Sequence, residues 1–206
     1  FTLFERAWSL RGMENLLMDM IEEPQRVDAL LDAICEYDLR VLDIALSYEW
    51  DGFHFGDDWG QQRGLIMGPH LWRRFIKPRM ARLYARVKEK GLWVSQHSCG
   101  DLRDILDDLA EIGLNVYNTV QPEIYDLAAL KRDYQGRLAF WGGISTQRDL
   151  SRGSPAEIAQ ITRQTLRLMA RGGGYIAAPT HAVEFDVPPE NLLAMEREFE
   201  QFSWNE

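Results

Sequence analysis

Short apolar segments alternate with longer amphipathic segments along this chain, and that alternation limits the possible folds more than any other feature. The segments that fit a β-strand are 51–55, 92–96, 115–120, 138–141 and 175–178, with 1–4 as a weaker sixth. Each is short, contains aromatic or β-branched residues, and is bounded by turn-forming residues such as Gly, Asp or Asn. Strands that alternate with helices predict parallel pairing through right-handed crossovers.

Helical periodicity fills the segments between the strands. Apolar residues recur mostly every three or four positions in 22–48, 69–90, 102–112, 124–134, 155–171 and 188–202. Ser154 and Glu157 form a capping box with Pro155 at the first helical position. Pro78 falls inside a helical pattern and is predicted to kink or split that helix.

Two α/β architectures fit this pattern, and the glycines separate them. A doubly wound sheet normally carries a glycine-rich phosphate turn after its first strand, and Gly-x-Gly-x-x-Gly does not occur in this sequence. Glycines 172–174 precede a strand and are interpreted as a helix-end turn. Polar residues recur where the strands end, which favours a (β/α)8 TIM barrel. We expect a single domain over 1–206, the C-terminal portion of such a barrel, with about five or six parallel strands and the remaining strands before Phe1.

Composition excludes several function classes. The net charge is −9, from 32 acidic and 23 basic side chains, and this balance argues against a nucleic-acid binder. No apolar run approaches the length of a membrane span, and no secretory leader is recognisable. The two cysteines, Cys35 and Cys99, are not expected to form a disulfide, so we expect a cytoplasmic protein.

The residues best suited to catalysis or metal binding follow three of the predicted strands. Asp57 and Asp58 follow the first strand, as catalytic groups or as caps of a turn. His97 and Cys99 follow the second strand, two residues apart, so that both side chains point to one face and can bind zinc. The alternative is a buried cysteine beside a capping histidine. His181 follows the last strand, as a third zinc ligand or as a substrate contact without metal.

Neutral polar residues follow the remaining strands. Asn118, Gln121 and Glu123 follow one strand, and the segment from Trp141 to Gln147 follows the next. Its glycines allow close backbone approach, while Ser145 could bind substrate or cap a helix.

These strand-end motifs, in this order, resemble those of the uroporphyrinogen decarboxylase superfamily. The matching segments are Asp57-Asp58-Trp59-Gly60 with Gln62 and Gly64, Gln96-His97-Ser98-Cys99-Gly100, Asn118 to Pro122, Trp141-Gly142-Gly143-Ile144, and Gly173 to His181. The resemblance covers nearly the whole chain. It is closest to the zinc-dependent corrinoid:thiol methyltransferase-like members, in which His-x-Cys supplies two zinc ligands. The third ligand there is typically Cys, and His181 stands at the matching position.

The resemblance implies an enzyme that moves a methyl group from a corrinoid, carried by a partner protein, to a zinc-activated small-molecule thiol. His97, Cys99 and His181 would hold the zinc. Asp57, Asp58 and His181 would be catalytic, and Gln62, Asn118, Gln121, Trp141 and Ser145 would bind substrate. Two alternatives remain: a cofactor-free decarboxylase of a tetrapyrrole or other carboxylated substrate, and a truncated docking module for a corrinoid protein. We expect no nucleic-acid or membrane partner, and a homodimer is compatible with the sequence.

Overall fold

The computed structural model describes residues 2–203 and contains helices and strands in alternation. The helices are α1 (Leu3–Arg11), α2 (Met13–Glu22), α3 (Pro24–Ala45), α4 (Gly68–Leu71), α5 (Lys77–Lys88), α6 (Leu106–Glu111), α7 (Leu127–Tyr134), α8 (Pro155–Met169) and α9 (Pro189–Gln201). The strands are β1 (Gly52–Gly56), β2 (Gly60–Gln61), β3 (Gly64–Leu65), β4 (Trp93–His97), β5 (Val116–Val120), β6 (Ala139–Ile144) and β7 (Tyr175–Pro179). Short π-helical or 3₁₀ turns span Trp72–Ile76, Arg103–Ile105 and Thr146–Leu150.

Five of these strands form one parallel sheet. Its order is β1-β4-β5-β6-β7, so the strands follow one another in chain order. The register between β1 and β4 runs from Gly52 opposite Trp93 to Gly56 opposite His97. The prediction of about five parallel strands in an α/β fold is therefore confirmed. The antiparallel pair β2–β3 is a small hairpin between β1 and α4.

The chain divides into two compact units, Phe1–Val116 and Tyr117–Glu206. In the first unit α1, α2, α3 and α5 pack their apolar faces together. The fully buried side chains of this core include Leu3, Phe4, Leu31, Phe75 and Leu83. The rings of Trp59 and Trp72, also fully buried, meet edge to face at 5.4 Å. This core fixes the ends of β1 and β4.

The weak strand predicted at 1–4 is wrong, because α1 begins at Leu3; Phe1 lies outside the described residues. The side chain of Asp57 accepts hydrogen bonds from the backbone N–H groups of Phe4 and Glu5, which cannot find partners within the first turn of α1. Leu3 and Phe4 have no solvent exposure. An edge strand left open by missing barrel strands would expose apolar side chains at this position, and these two side chains are buried instead.

The prediction that Pro78 splits its helix is confirmed. α4, the π-helical turn Trp72–Ile76 and α5 follow one another directly, and Pro78 is the second residue of α5. Proline has no N–H to donate to the preceding turn, and it is well tolerated in the first turn of a new helix.

In the second unit, α8 packs against α9 and against β6. A core cluster contains Ile144, Leu150, Ile158, Val187 and Met195. The predicted capping box is confirmed, since Ser154 Oγ accepts from the Glu157 N–H and Glu157 accepts from the Ser154 N–H. Glycines 172–174 all have positive φ and form the predicted turn before β7. Among residues 2–203, no helix combines the length and the apolar character that crossing a membrane requires.

Candidate active site

Asp57 connects the end of β1 to the start of α1. Its carboxylate is completely buried and accepts from Phe4 N at 2.9 Å, Glu5 N at 2.7 Å and Trp59 Nε1 at 2.7 Å. Burial raises the pKa of Asp57 to about 7, although these three hydrogen bonds favour the charged form. Both carboxylate oxygens are engaged inside the protein. The expectation that Asp57 is a catalytic group is therefore corrected, because its contacts give it a positioning role.

Asp58 points the other way, toward the residues that follow β4. Its Oδ1 accepts from the Cys99 N–H at 2.8 Å and lies 3.6 Å from His97 Nε2. The side chain is 39% exposed, so it remains accessible to a substrate. Of the two acids that follow β1, Asp58 is therefore the one that faces His97.

Glu5 is a site residue that the sequence analysis missed. Its Oε2 accepts from the Asp58 N–H at 3.2 Å, and only 9% of the residue is exposed. Burial and the nearby Asp58 charge raise the pKa of Glu5. The available signal was an acidic residue followed by an apolar helical pattern, which the strand assignment of 1–4 concealed.

His97 and Cys99 form a close pair of potential ligands. Cys99 Sγ lies 3.5 Å from His97 Nε2. Burial raises the pKa of Cys99 to about 11, and the carboxylates of Asp58 and Glu5 contribute in the same direction. These acids disfavour a second negative charge on the thiol, and the same field attracts a cation. An imidazole and a thiol in an acidic pocket therefore fit zinc, which accepts both ligand types.

Two glycines allow the segment after β4 to reach this position. A Cβ on Gly60 would lie 2.5 Å from the Cys99 carbonyl oxygen, and one on Gly100 would lie 2.3 Å from the Gly60 carbonyl carbon. The Asp101 N–H donates to the Gln61 carbonyl oxygen at 2.8 Å across the same contact. The hairpin β2–β3 thus holds the Cys99 backbone in place.

His181 follows β7 and is exposed. Its imidazole is a potential third donor, and it belongs to the second unit, whereas His97 and Cys99 belong to the first. Joint binding of one zinc ion by these three residues stays a prediction. Two imidazoles and one thiol match the ligand number of catalytic zinc sites, which keep one further position open.

The predicted substrate-binding residues differ in how accessible they are. Gln62 is exposed in the turn of the hairpin β2–β3, and Trp141 is half-buried in β6. Asn118 and Gln121 are at most 9% exposed, and Asn118 Nδ2 donates to the Trp141 carbonyl oxygen at 3.4 Å. For these four residues substrate binding stays a prediction.

Ser145 is placed differently from the expectation. Its side chain has no exposure, donates to Glu123 Oε1 and accepts from the Arg148 N–H at 3.0 Å. The hydroxyl therefore caps the turn Thr146–Leu150, and the direct substrate contact expected for Ser145 is corrected. The other Glu123 oxygen, Oε2, is buried without a hydrogen-bond partner among residues 2–203.

Comparison with known proteins agrees with this architecture. The profile of the family described as Uroporphyrinogen decarboxylase (URO-D) matches residues 1–202. A solved structure of a methyltransferase from Methanosarcina mazei superposes with a TM-score of 0.80 over 98% of this chain, at 20% sequence identity. No curated protein gives a significant sequence match.

The two comparisons carry different conclusions. The likeness to the solved methyltransferase establishes a shared fold, and this chain spans 57% of that protein's length. The family profile covers nearly every residue, including the segments that carry Asp58, His97, Cys99 and His181. The resemblance inferred from the strand-end motifs is thereby confirmed: the chain belongs to the uroporphyrinogen decarboxylase (URO-D) family.

Proposed function

We propose that this protein is a methyltransferase that uses zinc to activate a small-molecule thiol, which accepts a methyl group from a corrinoid held by a partner protein. The observation that carries the proposal is the close pair of thiol and imidazole at Cys99 and His97, whose Sγ and Nε2 atoms lie 3.5 Å apart. Two further facts support it: the family consists of enzymes, decarboxylases and methyltransferases, and one solved protein of this fold is a methyltransferase.

His97, Cys99 and His181 would hold the zinc, which when bound favours the thiolate form of a coordinated substrate thiol near neutral pH. Cys99 needs such a cation to be a ligand, because its own pKa is raised to about 11 by burial and nearby carboxylates. Asp58 accepts from the Cys99 N–H and so orients the segment that carries two of the three donors. Its exposed oxygen can also accept a hydrogen bond from the substrate.

The remaining site residues would shape the substrate pocket. Gln62 and Trp141 are accessible enough to contact a small thiol or the corrinoid, and the buried Asn118 and Gln121 would supply polar groups deeper in the protein. Asp57 would stabilise the site indirectly, because its carboxylate accepts hydrogen bonds from the first turn of α1. The proposal places the protein in the cytoplasm with a corrinoid protein as partner, and leaves room for a homodimer.

A second candidate is decarboxylation of a carboxylated substrate without metal. The observation that favours it is the identity of residue 181, a histidine where the methyltransferase-like members typically have cysteine. In that case His181 would bind the substrate carboxylate, and zinc would have no role. A third reading, a docking module for a corrinoid protein, predicts partner binding with no effect of substitutions at His97 or Cys99.

Zinc binding separates these candidates. We expect the purified chain to bind one zinc ion, and its cobalt form to show the absorption of a thiolate-ligated tetrahedral site. Cys99→Ser should lower zinc affinity by about a hundredfold, because a serine hydroxyl ionises far less readily than a thiol. His97→Ala and His181→Ala should each lower it as well.

The matched controls are Cys35→Ala and His70→Ala, which remove a thiol and an imidazole elsewhere in the first unit. They should leave zinc affinity unchanged. Wild-type protein that takes up no zinc at saturating concentration, or a Cys99→Ser variant that binds it normally, would exclude zinc-thiol chemistry and favour the decarboxylase.

A further inference from the structure

A cationic cavity lies at the carboxyl end of α8, within the second unit. It has a volume of about 820 Å³, and its lining includes the basic residues Arg163, Arg167 and Arg171, one acidic residue, Glu198, and the aromatic residues Tyr175 and Phe202. Small-molecule sites typically enclose about 300–1,000 Å³, so the cavity is large enough for a metabolite. None of the proposed zinc ligands lines it.

The three arginines follow one another at a spacing of four residues. Two such steps along a helix advance about 6 Å each and keep the side chains on one face. Arg163 and Arg167 belong to α8, whereas Arg171 lies in the turn beyond Met169, where the helix ends. All three arginines therefore line one cavity, two of them from a helix and one from the turn that follows it.

Only one of these charges is neutralised by the protein in the described part of the chain. Glu198 pairs with Arg163 through two bonds, Nη2 to Oε1 at 2.6 Å and Nε to Oε2 at 2.8 Å. Within residues 2–203, neither Arg167 nor Arg171 has a carboxylate within ion-pair distance. The feature that distinguishes these two arginines is that both line the same cavity.

The walls of the cavity add an apolar component. Tyr175 lines it at the start of β7, and its hydroxyl donates to the Gly142 carbonyl oxygen at 2.7 Å, which fixes the ring. Phe202 lines the cavity beyond the end of α9. Aromatic rings beside guanidinium groups suit a ligand with an organic body and an anionic end.

We propose that this cavity binds a small organic oxyanion, a phosphate ester or a polycarboxylate, through Arg167 and Arg171. The planar guanidinium group donates two parallel hydrogen bonds to phosphate or carboxylate oxygens, so two arginines that line one cavity suit such a ligand. The competing explanation is local: Arg167 lies in the last turn of α8, where a cation stabilises the free carbonyl groups. That role requires no ligand.

Isothermal titration calorimetry with pyrophosphate and with citrate, at constant ionic strength, tests the proposal. Wild-type protein should bind one of them or both, saturably and at one site per chain. The double variant Arg167→Gln/Arg171→Gln should bind at least about tenfold more weakly, since two charge-assisted contacts are lost. The control, Lys90→Gln/Arg152→Gln, removes two exposed positive charges outside the cavity and should bind as the wild type does.

Each outcome either supports or overturns the proposal that the cavity binds an organic oxyanion. Binding of pyrophosphate alone assigns the site to phosphate esters, binding of citrate alone assigns it to polycarboxylates, and both support the proposal. No saturable binding by the wild type, or equal weakening in both double variants, overturns it. If the double variant unfolds, Arg171→Gln alone serves, because Arg171 lies outside the helix; it should still weaken binding several-fold.

Discussion

The backbones of Gly60 and Gly100 are in close contact where the hairpin β2–β3 meets the segment after β4. An added Cβ on Gly100 would lie 2.3 Å from the Gly60 carbonyl carbon and 2.4 Å from the Gln61 nitrogen. Neither contact can be relieved by rotating a side chain, because both partners are backbone atoms. The position of Cys99 thus depends on a pair of residues that have no side chains.

Gly60→Ala should therefore destabilise the protein, whereas Gly56→Ala should not. A Cβ on Gly60 would meet the Cys99 carbonyl oxygen at 2.5 Å, whereas one on Gly56 has no atom within 4 Å. Overpacking of this kind costs about 1–3 kcal/mol, and a surface-like change costs about 0.5 kcal/mol or less. Urea unfolding of both variants provides the measurement. Equal midpoints for the two would contradict the proposed backbone contact.

Asp57 should give the folded protein a distinctive pH dependence. Its pKa is about 7 in the folded protein and near its ordinary value of 3.8 in the unfolded chain. Between these values the folded state binds more protons, so the contribution of Asp57 to the free energy of unfolding is present at low pH and is lost as pH rises through about 7. The upper bound of this contribution is on the order of 4 kcal/mol.

Asp57→Asn isolates that contribution, because asparagine does not titrate. The difference in unfolding free energy between wild type and variant, measured in urea at pH 5 and at pH 8, should become smaller or change sign at the higher pH. Differences that are the same at both values would show that Asp57 keeps its ordinary pKa in the folded protein.

Glu5 should influence metal binding through Asp58. Its carboxylate accepts from the Asp58 N–H, and Asp58 in turn accepts from the Cys99 N–H. Glu5→Ala should lower zinc affinity by roughly tenfold, as loss of a supporting hydrogen bond does in other metal sites. Glu5→Gln keeps an acceptor and should recover part of the loss. The control is Glu14→Ala, in the exposed first turn of α2. An equal loss of zinc affinity in that variant would show that Glu5 has no specific role in metal binding.

Ser145→Ala should cost stability rather than substrate affinity. The change leaves the Arg148 N–H without its cap and the buried Glu123 carboxylate without its donor, and each such loss costs about 1–3 kcal/mol. Ser151→Ala, which removes only an exposed hydroxyl bonded to the Gln147 carbonyl oxygen, should be nearly neutral. Thermal unfolding measures both. A larger change in substrate KM than in Tm for Ser145→Ala would restore its predicted contact with substrate.

The sequence predicted the five long strands, the capping box at Ser154 and the family, because each depends on local pattern. Strand periodicity and turn residues are properties of neighbouring positions, so they can be read without a structure. The proximity of Asp58 and His97 can also be predicted from the sequence. The two residues follow or end parallel strands, and the carboxyl ends of parallel strands meet at one edge of a sheet.

Other features depend on contacts between distant segments and could not be predicted in this way. Residues 1–4 have the composition of a strand, but Asp57, more than 50 residues away, supplies the acceptor that starts a helix there. The roles of Asp57 and Ser145 were misjudged for the same reason, because polar residues at strand ends can support the backbone as readily as they can face a substrate. Composition does not distinguish these roles; the identity of the hydrogen-bond donors does.

The bond between Asp57 and the first turn of α1 changes how the site can open. The first amides of a helix normally exchange their hydrogens quickly, because that turn frays independently of the rest of the protein. Here the amides of Phe4 and Glu5 are tied to a residue beside the Cys99 segment. Hydrogen exchange at these two positions should therefore be slow and should follow the exchange of the Cys99 amide, so that the start of α1 and the candidate active site open as one cooperative unit.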